Sequence, residues 1–325
     1  MSDPVTGESV SLIIPAYNER VAIGAVLDEA GTSLARLGIP FEILVVDDGS
    51  EDDTAEIVSR RSDARLVRNP VNLGYGHSLL RGVASAKGSL IAICDADGSY
   101  DLDALPELIA RVRAGVDHAI GERTGRWFRR PFLRRTVYRW LCGYVVGARV
   151  PDANSGLRAF RRDVVETLRA DLCLGFSFTT SLTLASLMSG YVTEFRKTSY
   201  RERVGRSHVR LRDTFRTGQY LFQLIAAYNP VKLFVPLVLG SLLAAAGFAG
   251  LAVWHAERWL APAWMFGVAS LLLTGLAAHA YVVSRAAAGP IRGRALLPHA
   301  ERMSALAPSS DSTSSEPRTR SAAGR

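Results

Sequence analysis

The sequence predicts an α/β protein: a mostly parallel sheet covered on both faces by helices, followed by a two-helix apolar hairpin. Two observations predict it. Short, near-continuous apolar runs alternate with helical patterns through the first 200 residues, the signature of buried parallel strands. Two long uncharged stretches then occupy the last third, Leu233 to Trp254 and Trp259 to Ser284. About 20 helical residues cross a hydrocarbon core of roughly 30 Å, so each stretch is long enough to span a membrane.

The first strand is read over Val10 to Ile14, closed by Pro15, and a helical pattern runs from about Glu19 to Leu37. Glu42 to Val46 is the next strand, broken by Asp47-Asp48-Gly49-Ser50, after which a short helix starts near Asp52 or Asp53. Arg65 to Val67 reads as a third strand, Gly76 to Lys87 as a helix closed by Gly88, and Ser89 to Ile93 as a fourth strand. Leu211 to Tyr228 reads as an amphipathic helix, suited either to a membrane interface or to packing on the first domain. Four parts follow: an α/β domain over 1–210, an interfacial helix over 211–230, two membrane helices over 231–285 and a disordered, Ser/Thr/Pro/Ala-rich tail over 286–325.

The chain has a formal net charge of +8, unevenly spread. Residues 123–149 hold eight arginines and no acid, and residues 196–216 hold eight Lys or Arg against Glu202 and Asp213. Two such blocks call for an anionic partner. Their place between an acidic crevice and two membrane spans disfavours nucleic acid. Three cysteines, none in a Cys-x-x-Cys pair, exclude a disulfide scaffold and a thiolate zinc site. The first residues lack a basic flank and an apolar run, so no signal peptide is expected. Positive residues on both sides of the hairpin (Lys232 before it; Arg285, Arg292 and Arg294 after it) place the domain and both termini in the cytoplasm, in a multi-pass membrane protein. Association with a second copy stays open.

In open parallel sheets, ligands bind beyond the carboxyl ends of the strands. Ala16-Tyr17-Asn18-Glu19, Asp47-Asp48 and Asp95-Ala96-Asp97 all fall there. Asp95 and Asp97, one residue apart on a turn, can converge on one cation, and their hard oxygens suit Mg²⁺ or Mn²⁺. An isolated Asp-x-Asp is more often a capping turn. Its place beside a second acidic strand end favours the cation. Asp47 reads as a ligand of a ribose or base, whereas Asp48 serves equally well as a turn residue or a ligand.

Five segments in fixed order then carry a resemblance: Val10–Glu19, Val45–Ser50, Asn72–Gly76, Asp95–Tyr100 and Asp152–Phe160. The chain resembles family 2 glycosyltransferases, especially the dolichyl-phosphate mannose synthases and their bacterial polyprenyl-phosphate relatives. The resemblance implies a GT-A nucleotide-sugar fold, a divalent metal and inverting transfer of a hexose from a GDP-mannose or UDP-glucose type donor to polyprenyl phosphate. Action on another lipid or glycan acceptor, or an inactive sugar-nucleotide-binding scaffold, are the alternatives. It also implies nucleotide contacts from Pro15, Ala16, Tyr17, Glu19, Asp47, Asp48, Asp95 and Ala96, and metal contacts from Asp95 and Asp97. Catalytic roles fall to Asp97, Arg123, Arg135 and Arg158. The acceptor phosphate is expected at Arg123, Arg134, Arg135, Ser155, Arg201, Arg203 and Ser207. Two departures stand out: Gly98-Ser99 replaces a Leu-Gln pair, removing a side-chain amide from the metal's surroundings, and His208 replaces a lysine.

Overall fold

Six of the seven strands in the sheet run parallel and one runs against them. The structure is a computed structural model, and it describes residues 8–125, 132–175, 177–203, 211–255 and 257–287. The strands are β1 (Val10–Ala16), β2 (Phe41–Asp47), β3 (Ala64–Arg68), β4 (Leu90–Ile93), β5 (His118–Thr124), β6 (Arg158–Arg161) and β7 (Thr193–Ser199). The helices are α1 (Ile23–Ala35), α2 (Thr54–Ser59), α3 (Tyr75–Ser85), α4 (Leu105–Arg113), α5 (Phe132–Val146), α6 (Arg162–Leu168), α7 (Phe178–Met188), α8 (Leu211–Tyr228), α9 (Val231–His255) and α10 (Leu260–Ala287).

Strand order is β3-β2-β1-β4-β6-β5-β7, with β6 the antiparallel member. Every residue of β1 is buried, and its side chains alternate between two layers. Leu12 and Ile14 join a core with Ile23, Leu27, Leu105 and Leu108 of α1 and α4. Ile13 faces the other way, toward Leu79, Val164 and Leu182 of α3, α6 and α7. Full burial of one such side chain stabilises the fold by about 1.5–3 kcal/mol, so the alternation fixes the register: a one-residue slip would exchange the two layers.

One helix starts later than the sequence pattern suggests and another one residue earlier. α1 begins at Ile23, not Glu19, because Asn18 takes a left-handed backbone conformation (φ 57°) and its N–H donates to Ser50 Oγ at 2.9 Å. Glu19 N–H donates to Thr54 Oγ1 at 2.9 Å, so the chain after β1 is tied to the segment after β2 before it becomes helical. α3 begins at Tyr75, after Gly74 at φ 102°, a value that favours glycine. The strands read from the sequence are present within a residue or two, and β5, β6 and β7 are additional to them.

α8 has the bounds the sequence suggests. Its Leu221 and Leu224 are buried against Cys142 and Val145 of α5 and Leu184 of α7. Those apolar side chains cover the domain, while Phe222 stays exposed.

α9 and α10 contain stretches of 23 and 25 residues, Val231–Val253 and Leu260–Ser284, with mean hydropathy 2.0 and 1.7 and almost no burial. Both are long and apolar enough to cross a membrane. They pair as a hairpin, with Ser241 and Ser270 hydroxyls 2.5 Å apart and Phe248 stacked on Trp259 and Phe266. Leu243 is 74% exposed and Leu271 73%, a surface that water would not tolerate over such an area. The tail over 288–325 lies outside the described residues.

Candidate active site

The strand order reverses direction between β1 and β4: β2 and β3 lie on one side of this pair and the remaining strands on the other. A crevice opens at such a switch point, beyond the carboxyl ends. The loop after β1 brings Glu19 to it, and the turn after β4 brings Asp95 and Asp97.

Asp95 accepts from Tyr75 Oη at 2.8 Å, so α3 supports it from one side. From the other side, backbone replaces side chain. A Cβ on Gly156 would stand 2.4 Å from Asp95 Oδ2, and Gly156 N–H is held by Tyr100 Oη at 2.6 Å. Asp97 Oδ1 accepts from both the N–H and the hydroxyl of Ser99, at 3.0 and 2.6 Å. The serine that stands where the resemblance expects other residues therefore orients the aspartate. Burial, and next the charge of Asp97, push the Asp95 carboxyl up to about 6. The two carboxylates repel each other, a cost that a divalent cation would remove. Hard oxygens, mutual repulsion and a glycine cradle fit a metal such as Mg²⁺ or Mn²⁺, with Asp95 and Asp97 to hold it.

Arg203 reaches into the same crevice. Its Nη2 donates to Glu19 Oε1 at 2.7 Å, and its Nε lies 3.5 Å from Asp97 Oδ2. Burial raises the Glu19 carboxyl to about 7, against the opposing pull of Arg203. Asp97 and Asp95 add to the rise.

On the β2 side, Asp47 is fully buried and pairs with Arg68 at 3.1 Å, while its other oxygen accepts Ser50 N–H at 3.2 Å. Pro15 and Ala16 lie in register with Val46 and Asp47, and Ala96 is buried between the two aspartates. Tyr17 is half-buried on the loop beside them. Asp48 serves the turn. Its oxygens accept from Asn69 Nδ2 (2.7 Å), Leu73 N–H (3.0 Å) and Gly74 N–H (2.8 Å), so it builds the entry to α3.

The arginines divide into three groups. Arg123, at the end of β5, forms a bidentate pair with Asp152 at 2.8 and 2.9 Å and lies 5.4 Å over the Tyr200 ring. Arg203 faces the carboxylates as described. Arg158, expected in a catalytic role, and Arg201, expected at the acceptor phosphate, have protein partners of their own. Arg158 is wholly buried, and its guanidinium is taken up by the Ser155 and Thr179 carbonyls and the Thr183 hydroxyl. Burial lowers its pKa to about 10, which leaves it charged, and it cannot touch a lipid. Arg201 pairs with Glu29 at 3.1 Å and Asp101 at 3.2 Å, outside the crevice, while its N–H donates to Ser99 O at 2.7 Å. It therefore fixes the loop that delivers Arg203. Arg135 is half-buried on α5. The Arg134 side chain and Ser207 lie outside the described residues. Ser155 Oγ is buried without a hydrogen-bond partner among the described residues, beside the Asp95 cradle.

Sequence reasoning gave no role to Tyr75, Tyr100, Asp152 or Arg68. Tyr75 and Asp152 sit inside motifs that the sequence displays, Asn72–Gly76 and Asp152–Phe160, and that position was the available signal. Their partners are 20 and 29 residues away, so no local spacing connects them.

Residues 11–169 match the family model described as Glycosyl transferase family 2. Over these residues the chain is similar to that family. Similar curated proteins include the undecaprenyl-phosphate 4-deoxy-4-formamido-L-arabinose transferases of Edwardsiella ictaluri (33% identical over 177 residues, 52% of this chain and 54% of that protein) and Salmonella typhimurium (30% over 177 residues, 52% and 53%). The chain thus spans about half the length of the curated relatives it matches. Among solved structures, glucosyl-3-phosphoglycerate synthase of Mycobacterium tuberculosis is similar, with a TM-score of 0.52 at 22% identity, covering 68% of this chain and 78% of that one. A second structure of that enzyme, with the same scores, holds Mn²⁺, uridine diphosphate and glucosyl-3-phosphoglycerate. The likeness is one of fold: the domain has the GT-A architecture, a mostly parallel mixed sheet of seven strands.

Proposed function

We propose that this chain is a membrane-bound, inverting glycosyltransferase that moves a hexose from a nucleoside-diphosphate sugar to polyprenyl phosphate at the cytoplasmic face of the cell membrane. The observation that carries the reading is the crevice itself. Two repelling carboxylates, Asp95 and Asp97, meet guanidinium groups in one cleft, and two membrane-length helices follow the domain directly. The relatives' polyprenyl-phosphate acceptor and the Mn²⁺ and uridine diphosphate of the Mycobacterium enzyme support it.

The acceptor explains an arrangement without a dedicated base. A phosphate monoester has a second pKa near about 6 and is already a nucleophile at neutral pH. The protein's task is to hold two anions on opposite sides of the sugar carbon. Asp47 and the β1 loop bind the nucleotide. Asp95 and Asp97 would hold Mg²⁺ or Mn²⁺, which when bound neutralises the departing diphosphate. Arg123, aimed by Asp152 and Tyr200, and Arg203 serve the phosphates, with Arg134, Arg135, Ser155 and Ser207 completing the acceptor side. Arg158 acts from beneath, its buried charge offsetting that of Asp95 and Asp152.

The test is incubation of membranes containing the full chain with a panel of radiolabelled nucleotide sugars, followed by organic extraction. Label in a lipid product supports the proposal and names the sugar. Label confined to a water-soluble phosphorylated product supports the second reading, a family 2 transferase with a different acceptor, which the phosphoglycerate product in the Mycobacterium complex favours. Absence of transfer from every donor supports the scaffold reading.

A further inference from the structure

Helix α5 has two apolar faces where a helix packed on a domain needs one. Its inward face buries Cys142 and Val145 against Leu184, Leu221 and Leu224. Its outward face exposes Val137 (50%), Trp140 (65%) and Leu141 (37%). A single exposed apolar residue is ordinary, but a contiguous turn of three, one of them tryptophan, marks an interaction surface.

The C-terminal end of that face is fastened to the first membrane-length helix. Trp140 stacks on Tyr144 with centroids 5.9 Å apart, and the Tyr144 hydroxyl donates to the Lys232 carbonyl at 2.5 Å. Lys232 Nζ returns two bonds, to the Tyr144 and Val145 carbonyls at 2.8 and 3.1 Å, where a cation complements a helix C-terminus. Lys232 is the second residue of α9, and Trp140 lies one turn, about 6 Å, back along α5 from Tyr144. The exposed face therefore stands at the level where the chain enters the apolar span, the depth that tryptophan and tyrosine favour.

Charge says what the face meets. A cavity of about 540 Å³ opens beside it, lined by Trp140, Gly143, Tyr144 and Val150 and by two arginines, Arg139 and Arg149. Neither arginine pairs with a carboxylate among the described residues, and residues 123–149 contain no acid at all. None of the crevice residues lines this cavity. Guanidinium groups over an aromatic shelf at a membrane surface match anionic headgroups.

We propose that the outward face of α5 seats the transferase domain on the bilayer and that the Arg139–Arg149 cavity takes the headgroup of an anionic glycerophospholipid. The inference rests on the membrane reading of α9 and α10, and its test separates the two. The full chain, whose three cysteines are buried, is spin-labelled at Trp140→Cys, at Leu243→Cys in α9 or at Arg60→Cys just after α2, and reconstituted in phosphatidylcholine–phosphatidylglycerol vesicles. Accessibility to oxygen relative to a water-soluble nickel complex then reports depth. Position 140 is expected at interfacial depth, position 243 in the hydrocarbon and position 60 in water. An aqueous signal at 140 with a hydrocarbon signal at 243 overturns the seating of α5 alone. An aqueous signal at 243 overturns the membrane reading and this inference with it. For the cavity, the chain carrying both Arg139→Gln and Arg149→Gln is compared with wild type for phosphatidylglycerol retained on purification, read by native mass spectrometry. At least a threefold loss is expected. Unchanged retention, or displacement of phosphatidylglycerol by undecaprenyl phosphate, overturns the headgroup assignment, the latter by giving the cavity to the acceptor.

Discussion

The two edges of the sheet treat their carboxylates in opposite ways. At the amino edge, Glu42 accepts from Ser11 Oγ (2.6 Å), Lys87 N–H (2.5 Å) and Arg65 Nη2 (2.9 Å). Burial works against its charge, yet these bonds prevail and hold the carboxyl below the ordinary range. At the carboxyl edge, Glu19 is raised to about 7 and Asp95 to about 6, with burial the largest cause for each. The same fold satisfies a charge where only structure needs it and crowds charges where a ligand is to come. Such tension marks functional sites.

That contrast is broken most severely at Asp97. Asp97→Asn removes one of the two carboxylates facing the crevice, and transfer should fall by more than about 10³-fold, the scale of lost electrostatic stabilisation of a leaving group. The thermal midpoint should hold or rise, because a repulsion is relieved. A variant that turns over at the wild-type rate removes the metal assignment. Gly156→Ala comes next. Its new Cβ would stand 2.4 Å from Asp95 Oδ2, so a loss of about 10²-fold in kcat is expected for a catalytic group displaced by roughly 1 Å. Stability should change by less than about 1 kcal/mol if Asp95 swings away. Unaltered kinetics would mean that the position of Asp95 carries no weight.

The amino edge should answer in the opposite currency. Glu42→Gln leaves Ser11, Lys87 and Arg65 with a neutral partner. It should cost about 1–3 kcal/mol by denaturant unfolding while kcat stays unchanged. A kinetic defect without loss of stability would contradict the division. The smallest effect is one of pH. Folded Glu19 keeps its proton up to about pH 7, whereas an unfolded glutamate releases it near about 4.3. The folded state therefore loses ground as pH rises through that window and levels off above it. Glu42 has the reverse sign: its contribution is full above the unfolded pKa and lost as pH falls through its lower folded value. Thermal midpoints between pH 4 and 8 should show Glu19→Gln flattening the decline between about 4.3 and 7. Parallel curves for variant and wild type would count against the raised Glu19.

How much of this was legible in the sequence depends on whether an interaction is local. Asp95 and Asp97 announce themselves because both lie in one turn after one apolar strand. The parallel sheet is legible in runs such as Leu12–Ile14 and Ile43–Val46, which are apolar on both faces. β5, β6 and β7 were not, since His118, Arg158 and the polar run through β7 break the apolar pattern. His118 and Arg158 are buried as a pair, Nη1 to Nε2 at 3.4 Å, and only the folded neighbours make such a strand admissible. The roles of the arginines were least legible. Arg158, Arg201 and Arg123 look alike in the chain. The first is enclosed, the second faces Glu29 and Asp101, and only the third stands near the crevice through Asp152 and Tyr200, across gaps of tens of residues.

Binding of a nucleoside diphosphate to the full chain, followed by calorimetry with and without Mn²⁺, tests the central claim most directly. The account predicts that uridine or guanosine diphosphate binds at least tenfold more tightly with the cation, and that Asp97→Asn abolishes this gain while nucleotide binding without metal persists. Equal affinity with and without Mn²⁺ in the wild-type chain, or an undiminished gain in Asp97→Asn, would contradict it.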